Sequence, residues 1–259
     1  VSERAWLGLE NLRLRQVNKD RLAQFENTFN QAAVGIAHVG LDGRWLRVNR
    51  RLCEIVGYSP QEVIASDFQQ ITHPDDLQLD LDHFAALHRG ETASYSIEKR
   101  YIHKNGSTVW INLTVSMSQA EAASRYAISV VEDITARKEI ENQNSKLSRL
   151  IEWSKDFISL ADLNGKITYL NAGARRMIGA GEEQDLSALH FTDYVPQDWQ
   201  EFFVAKVIAT ARESGSWEGE MQLQHLETGA QIDVHRYSSI IRHPQTHEPI
   251  AFATVARDI

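Results

Sequence analysis

The sequence has little of three features that often indicate a function: cysteine, long apolar runs and basic charge. Its single cysteine, Cys53, can form neither an internal disulfide nor a cysteine-based zinc site, and it fits a reducing cytoplasm. No stretch approaches the roughly 20 apolar residues that a transmembrane helix needs. The formal net charge is −8, so a broad basic surface for nucleic acid is not expected. Because Cys53 stands between apolar neighbours, we expect a buried side chain rather than a reactive thiol.

Recognisable catalytic settings are missing as well. Residues 179–181 read Gly-Ala-Gly but lack the later glycine of a phosphate-binding loop, and no serine or cysteine has a readable triad setting. His243 and His247 are four residues apart, yet Pro244 and Pro249 argue against the helix that such a metal pair would need. We therefore predict no metal site and no enzymatic activity. An enzyme built on an α+β sheet remains the competing interpretation.

An internal repeat organises the chain. Residues 41–49 read LDGRWLRVN and residues 163–171 read LNGKITYLN, an offset of 122. The same or nearly the same offset joins further pairs: Ile36 and Ile158, Gly57 and Gly179, Pro74 and Pro196, Asp76 and Asp198, Gly106 and Gly229, and Asp133-Ile134 and Asp258-Ile259. An ordered series of this length indicates two copies of one fold. The shared residues are mostly glycines, prolines and turn residues rather than an acid, a base or a nucleophile.

The first copy begins with two short strand signals and continues through helices to three further strands. Asp42-Gly43 predicts a hairpin turn, since glycine adopts positive φ without steric cost. Ser59, Pro60 and Glu62 predict a capped helix start. Residues 109–115 alternate between apolar and polar side chains, as a half-buried strand does. This order predicts an α+β fold in which a five-stranded antiparallel sheet carries helices on one face.

The second copy repeats that order, with Asp198 as the expected cap of its long helix. We therefore predict four segments: an N-terminal linker helix at 1–24, a first domain at 25–135, a helical linker at 136–147 and a second domain at 148–259. The linker region has no proline or glycine, and Ile140 and Leu147 are seven residues apart. This pattern favours an amphipathic helix that pairs with its twin in a homodimer. A helix lying on its own domain is the alternative.

These motifs, in this order and spacing, resemble two consecutive PAS domains. The first copy is the closer match, and the second is more diverged, with Gln197 where the first has Asp75. The motifs that carry the resemblance in the first copy are Asp42-Gly43, the segment from Asn49 to Ser59, His73-Pro74-Asp75-Asp76, Lys104-Asn105-Gly106 followed by Trp110, and Asp133-Ile134-Thr135. The likeness covers nearly the whole chain.

The resemblance implies a sensory and regulatory input module. Such modules often hold a small ligand between sheet and helices, often dimerise, and commonly regulate an attached histidine kinase or diguanylate cyclase. No output domain is visible, so we expect further protein after Ile259 in a longer parent chain. A dimerising relay without a ligand and a protein-docking scaffold are the alternatives.

Aromatic and polar residues on the predicted strands and helices are the candidates for a ligand pocket. In the first domain they are His88, Tyr101, Trp110 and Asn112. In the second domain they are Tyr169, Trp199, Phe203 and Tyr237. The predicted relay residues, which join the last strand to the following helix, are Asp133, Ile134, Thr135 and Asp258. Each of these pocket candidates has a core or surface position as its alternative.

The resemblance also raises the question of a cofactor, which the sequence leaves unknown. A haem-binding PAS domain would need an axial histidine on the long helix, where His88 is the better placed candidate and a surface residue is its alternative. Cys53 lies in a different setting from the reactive cysteine of a covalent flavin photosensor. The acidic run of Asp75, Asp76, Asp80 and Asp82 lacks the spacing of a calcium loop and is expected to form a solvated helix face.

Overall fold

The computed structural model describes residues 3–118, 125–181 and 184–259. The chain divides into two compact units, Val1–Glu141 and Asn142–Ile259, and the division falls inside a helix. Each unit contains a five-stranded, entirely antiparallel sheet with helices. The predicted α+β class with two such sheets is confirmed. The predicted segment boundaries at residues 24, 135 and 147 stay predictions.

The first unit begins with a long helix and then follows the predicted order. Its elements are α1 (Glu3–Gln31), β1 (Gly35–Val39), β2 (Trp45–Val48), α2 (Arg50–Val56), α3 (Pro60–Ile64), α4 (Phe68–Ile71), α5 (Pro74–His88), β3 (Ser94–Ile102), β4 (Thr108–Met117) and β5 (Ala127–Asp133). The strands lie in the order β2-β1-β5-β4-β3. The alternation predicted for β4 is present, because Ile111, Leu113 and Val115 are buried in the core.

Local chemistry explains where the short helices begin and end. The predicted capping box at Ser59 and Glu62 is present, and it closes the first turn of α3 from both sides. Gly57 ends α2 with a φ of 76°, a left-handed conformation that suits glycine. Gly43 has a φ of 86° at the β1–β2 turn, as the sequence predicted.

The second unit repeats the first after a helix, α6 (Thr135–Trp153), that spans the division between the two. Its remaining elements are β6 (Phe157–Ala161), β7 (Ile167–Leu170), α7 (Ala172–Ile178), a 3₁₀ turn (Leu186–Ala188), α8 (Gln197–Phe202), a π-helical segment (Phe203–Ile208), α9 (Ala209–Ser214), β8 (Ser216–Gln224), β9 (Gln231–Arg242) and β10 (Pro249–Asp258). The strand order, β7-β6-β10-β9-β8, matches that of the first sheet.

One predicted cap is wrong. Pro196, and not Asp198, is the N-cap of α8, and no side chain caps this helix end. Asp198 lies instead in the first turn, where a carboxylate still interacts favourably with the positive end of the helix dipole. The proline prevents a side-chain cap because it has no hydroxyl, amide or carboxylate to offer.

A buried asparagine fastens the helix before each sheet to the sheet itself. The Asn49 side-chain oxygen accepts hydrogen bonds from the backbone N–H groups of Ile36 and Leu52, both at 2.9 Å. Its amide group donates to the carbonyl oxygens of Phe29 and Val34, also at 2.9 Å. Asn49 therefore joins the end of α1, strand β1 and the start of α2.

Asn171 makes the corresponding contacts in the second unit. Its side-chain oxygen accepts from the N–H groups of Ile158 and Ala174 at 3.0 and 2.8 Å. Its amide donates to the carbonyl oxygen of Ile151 in α6 at 2.9 Å. The repeat thus preserves one asparagine clamp in each copy, and both asparagines are fully buried.

Large apolar side chains are exposed on the helices that precede the sheets. Helix α6 has no buried residue, and it exposes Ile140, Leu147, Leu150 and Trp153. Along the part of the chain that the structure describes, no helix combines the length and the apolar character needed to cross a membrane.

Candidate functional site

The core of the first domain contains a buried ion pair. The Lys99 ammonium contacts the Asp80 carboxylate, and both side chains are only 2% exposed. The ammonium also donates to the Thr72 hydroxyl at 3.0 Å, and the Tyr95 hydroxyl donates to Asp80 at 3.1 Å. Burial lowers the pKa of Lys99, while the nearby carboxylate opposes that shift. Each charge therefore has a protein partner inside the core.

This arrangement corrects the expectation of a fully solvated acidic face on α5. Asp80 points into the core, and Asp76 binds Arg100 of β3 through two side-chain hydrogen bonds at 2.7 and 2.9 Å. The Arg100 hydrogen bonds hold the pKa of the Asp76 carboxyl below its usual range. Asp75 and Asp82 are exposed, as expected. Within the described ranges, no cluster of residues could hold a metal ion.

A small cavity lies beside the ion pair. It encloses about 10 Å³, which is room for roughly one water molecule. The indole N–H of Trp45, a buried residue of the cavity wall, has no hydrogen-bond partner among the described residues. The Tyr101 side chain lines the same cavity and is fully buried. In this conformation the core of the first domain is too full for a larger ligand.

A larger opening lies at the side of helix α5. This groove measures about 520 Å³ and contains His88, which is exposed at the end of the helix. Its apolar wall includes Leu81 and Phe84, and Phe84 packs against Phe68 with ring centroids 5.3 Å apart. The groove combines an apolar wall with a titratable rim, which suits a small molecule.

The other two pocket candidates of the first domain lie elsewhere. Trp110 and Asn112 project from β4 on the face opposite to Tyr101, because their neighbours Ile111 and Leu113 fill the core. The structure therefore does not bring His88, Tyr101, Trp110 and Asn112 together at one site. A ligand-binding role for these residues stays a prediction. His88 lies in the groove, Tyr101 lies in the core, and Trp110 and Asn112 lie on the outer face of the sheet.

Trp110 forms the junction between the sheet and α6. The Ile134 N–H donates to the Trp110 carbonyl oxygen at 2.9 Å. The Trp110 N–H donates to the Thr135 hydroxyl at 3.0 Å, and the Asp133 carboxylate accepts from the Thr135 N–H at 2.9 Å. The three predicted relay residues of the first domain thus form one hydrogen-bonded corner around Trp110 of β4.

Two cations lie close to the indole ring at this corner. The Arg100 guanidinium and the Lys138 ammonium each lie 5.5 Å from the centre of the Trp110 ring. Such contacts are favourable because the faces of the ring are electron-rich. Arg100 is also bound to Asp76, so a continuous chain of contacts leads from α5 across the sheet to α6.

The pocket candidates of the second domain are also dispersed. Phe203 is fully buried in the core, whereas Tyr237 is exposed on the outer face of β9. The Tyr169 hydroxyl donates to Glu152 of α6 at 2.7 Å, and burial, together with this contact, raises its pKa to about 12. Trp199 is half-buried and packs edge-to-face against Phe202. No common pocket collects these four side chains among the residues described.

The remaining predicted residues occupy simpler positions. Asp258 is the exposed last residue of β10, paired with Val234 of β9. Cys53 is buried, and burial raises the pKa of its thiol, so it behaves as a core residue. Three buried charges were not expected from the sequence: Asp80, Lys99 and Arg236. The period-two pattern of their strands indicates burial of the two cations, since Lys99 shares the inward face with Tyr101 and Arg236 shares it with Val234.

The two units contain sheets of the same topology, and in each unit a buried asparagine joins the preceding helix to the sheet. Family comparison agrees, since one model of the PAS fold matches residues 46–131 and a second matches residues 145–259. The chain belongs to the PAS family, as its sequence predicted, and it is a sensory input module.

Relatives among known proteins are multidomain signalling proteins. The probable diguanylate cyclase DgcE of Escherichia coli (strain K12) is 33% identical over 69% of this chain. The sensor histidine kinase TmoS of Ectopseudomonas mendocina is 28% identical over 49% of it. The matched regions amount to 16% and 13% of those two proteins. A solved PAS domain from Colwellia psychrerythraea has a TM-score of 0.41 and 21% identity, covering 44% of this chain and 95% of its own.

Proposed function

We propose that the first domain senses a small molecule and passes its state to α6 through the corner around Trp110. The observation that carries this proposal is the double connection of Trp110: its backbone binds Ile134 and Thr135, and its ring contacts both Arg100 and Lys138. A change in the position of α5 therefore reaches the start of α6 through Asp76 and Arg100. Coupling of this kind needs two arrangements of the same contacts, which a ligand then populates differently.

The groove at His88 is the proposed ligand site of this domain. Its volume of about 520 Å³ falls within the range of small-molecule pockets, and α5 forms one wall. A ligand there would contact the helix that holds Asp76, so binding and relay involve the same element. A ligand-free relay is the second candidate, and the full core around the Lys99–Asp80 pair favours it.

We further propose that the chain forms a homodimer through its long helices. The exposed apolar side chains of α6 include Ile140 and Leu147, which are one heptad apart, with Leu150 beyond them. Helices with such a seam pair readily because a neighbouring helix removes the apolar surface from water. Helix α1 also exposes Leu14, among others.

The output of the parent protein is proposed from its relatives. Both family models that match the chain describe PAS domains, and neither describes a catalytic domain. A diguanylate cyclase or histidine kinase domain attached to this chain would supply the activity, while the chain itself would regulate it without catalysis. A cytoplasmic location and the absence of a nucleic-acid partner complete the proposal.

The test changes a residue of α5 at one end of this chain of contacts and measures the stability of α6 at the other end. We would compare Asp76→Asn with Asp82→Asn, a control that removes the same charge from an exposed position of the same helix. Hydrogen exchange measured by mass spectrometry would follow the first turns of α6. We expect several-fold faster exchange there for Asp76→Asn and unchanged exchange for the control, because Asp76 makes most of the hydrogen bonds that hold Arg100 against Trp110, with Asp75 adding one at 3.2 Å. Unchanged exchange in both variants would refute the relay.

Native mass spectrometry of the wild-type chain tests the ligand and the dimer together. A mass beyond two polypeptides that disappears in His88→Ala supports a ligand in the groove. A dimer with no added mass, combined with the exchange result above, supports the ligand-free relay. A monomer would refute the proposed pairing of the helices.

A further inference from the structure

Aromatic and charged side chains connect the end of helix α1 to the face of the first sheet that lies opposite its core. His38 of β1 and Arg47 of β2 are paired in the antiparallel register, so their side chains share this face. The Glu26 carboxylate of α1 binds the Arg47 guanidinium. The guanidinium also lies 4.8 Å from the ring centre of Phe25 and 4.8 Å from that of Phe29. One arginine therefore attaches the last turns of α1 to the sheet.

The His38 imidazole belongs to the same cluster. It is half-buried, and it contacts the Phe29 ring of α1, with ring centroids 5.7 Å apart in an edge-to-face arrangement. It also contacts the ring of Tyr126, just before β5, with centroids 4.6 Å apart. Within the described part of the chain, the titratable and charged groups around His38 are Glu26 from α1, Arg47 from β2 and Tyr126. The opposite residue on β5, Ile128, is uncharged.

Protonation of His38 places a second positive charge beside Arg47. Burial lowers the pKa of His38, and the charge of Arg47 lowers it further. The Phe29 ring offers a new cation little attraction, because the Arg47 guanidinium already lies over it. When α1 moves away, water reaches the imidazole and its pKa returns toward the ordinary value of 6.5. The undocked arrangement binds the proton more tightly, so a fall in pH through this range favours it.

The second domain attaches its preceding helix without a histidine. Strands β6 and β7 pair in the corresponding register, where Leu160 lies opposite Tyr169. These two residues follow His38 and Arg47 by the 122-residue offset of the repeat. The Tyr169 hydroxyl, whose pKa is about 12, donates to Glu152 of α6. The two copies thus use the same positions to hold a helix, but only the first copy has an imidazole there.

We propose that His38 is a pH-sensitive contact that releases the last turns of α1 from the first sheet in mildly acidic solution. The neutral imidazole packs against Phe29 while Arg47 binds Glu26. The protonated imidazole repels the Arg47 guanidinium, and separation of α1 from the sheet relieves the repulsion. The signal is acidity and the responding element is α1, so this response is separate from the proposed ligand groove and from the relay at α6.

Hydrogen exchange of the whole chain at several pH values tests the proposal. The rates are corrected for the intrinsic pH dependence of amide exchange with unstructured peptides of the same sequence. Between about pH 8 and pH 5 we expect the corrected protection of residues 25–31 to fall several-fold. The protection of residues 147–153, at the equivalent end of α6, should stay constant because Leu160 does not titrate.

Two variants make the test specific to this histidine. His38→Leu introduces the residue type that the second copy has at this position, so we expect a folded protein whose α1 protection does not depend on pH. His235→Gln removes an exposed histidine from strand β9 and should keep the wild-type response. The proposal is overturned if the wild type shows no response, if His38→Leu retains it, or if the end of α6 responds equally.

The titration of the imidazole provides a readout that a purely structural role would not change. The ring-proton NMR signal of His38, assigned by its loss in His38→Leu, should titrate with a midpoint below 6.5. A midpoint at or above this value would overturn the proposal, because protonation would then not weaken the docking of α1. Neither measurement depends on Asp76, so failure of this contact is distinguishable from failure of the relay.

Discussion

The Asn49 clamp gives the sharpest prediction about stability. Asn49→Ala removes four hydrogen bonds of 2.9 Å from a fully buried position. The Leu52 N–H loses its helix cap, which typically stabilises by about 1 kcal/mol, and the Ile36 N–H becomes a buried donor without an acceptor, at about 1–3 kcal/mol. The freed carbonyl oxygen of Val34 belongs to a half-buried residue and can accept from water, whereas that of Phe29 is buried and adds to the loss. We therefore expect the free energy of unfolding of the first domain to fall by about 2–4 kcal/mol.

The measurement must separate the two domains. Urea-dependent hydrogen exchange, read by mass spectrometry, reports the unfolding of β5 and of β10 in one sample. The β5 peptides of Asn49→Ala should exchange at lower urea, whereas those of β10 should be unchanged. Asn18→Ala is the matched control, since it changes an exposed asparagine of α1. A loss below about 1 kcal/mol in the first domain, or an equal loss in the control, would refute the clamp argument.

Three further predictions follow from buried charge, titration and backbone conformation. Lys99→Met leaves a buried carboxylate unpaired and should lower the free energy of unfolding by about 3–5 kcal/mol in urea titrations; a smaller loss would mean that water reaches the site. The hydrogen bonds that lower the pKa of Asp76 stabilise the fold above the ordinary carboxyl pKa of 3.8, and this stability is lost as the pH falls through the folded-state value. Asp76→Asn should therefore be less stable than the wild type at pH 6 and converge with it in acid, and parallel curves would contradict this. Gly179→Ala should cost about 2 kcal/mol or more, because φ is +71° and a Cβ atom would lie 2.0 Å from the His225 ring. Gly90→Ala, with φ of +76° and open space, should lose only about 1 kcal/mol in the same thermal melts.

The repeat made the fold predictable, because the residues that both copies share stand at positions where the backbone conformation allows few residue types. Gly57 and Gly179 end equivalent helices in left-handed conformations, and Asn49 and Asn171 begin them. Such positions depend on local sterics and hydrogen bonding, which a short motif records. The alternation of apolar and polar side chains along β4 likewise indicates which face of the strand is buried, and it does so without knowledge of the neighbouring strands.

The candidate site was less predictable, because its contacts join segments far apart in the sequence. The acidic neighbours of Asp80 predict a solvated helix face, and only the contact of Asp80 with Lys99 on another element explains its burial. The π-helical segment at Phe203 likewise has no simple local signature. The position of this segment depends on the residues against which α8 and α9 pack. The pattern of residues along one helix does not specify those contacts.

The asparagine clamps set limits on how these modules can be excised or exchanged. Two of the four bonds of Asn49 go to Phe29 and Val34, which precede the first strand of the sheet. A fragment that starts at β1 would discard those acceptors, although every strand and the rest of the core would be present. For the second domain, the same reasoning places the minimal start before Ile151, within α6. A graft of either domain onto another protein should therefore carry the last turn of its preceding helix as part of the domain.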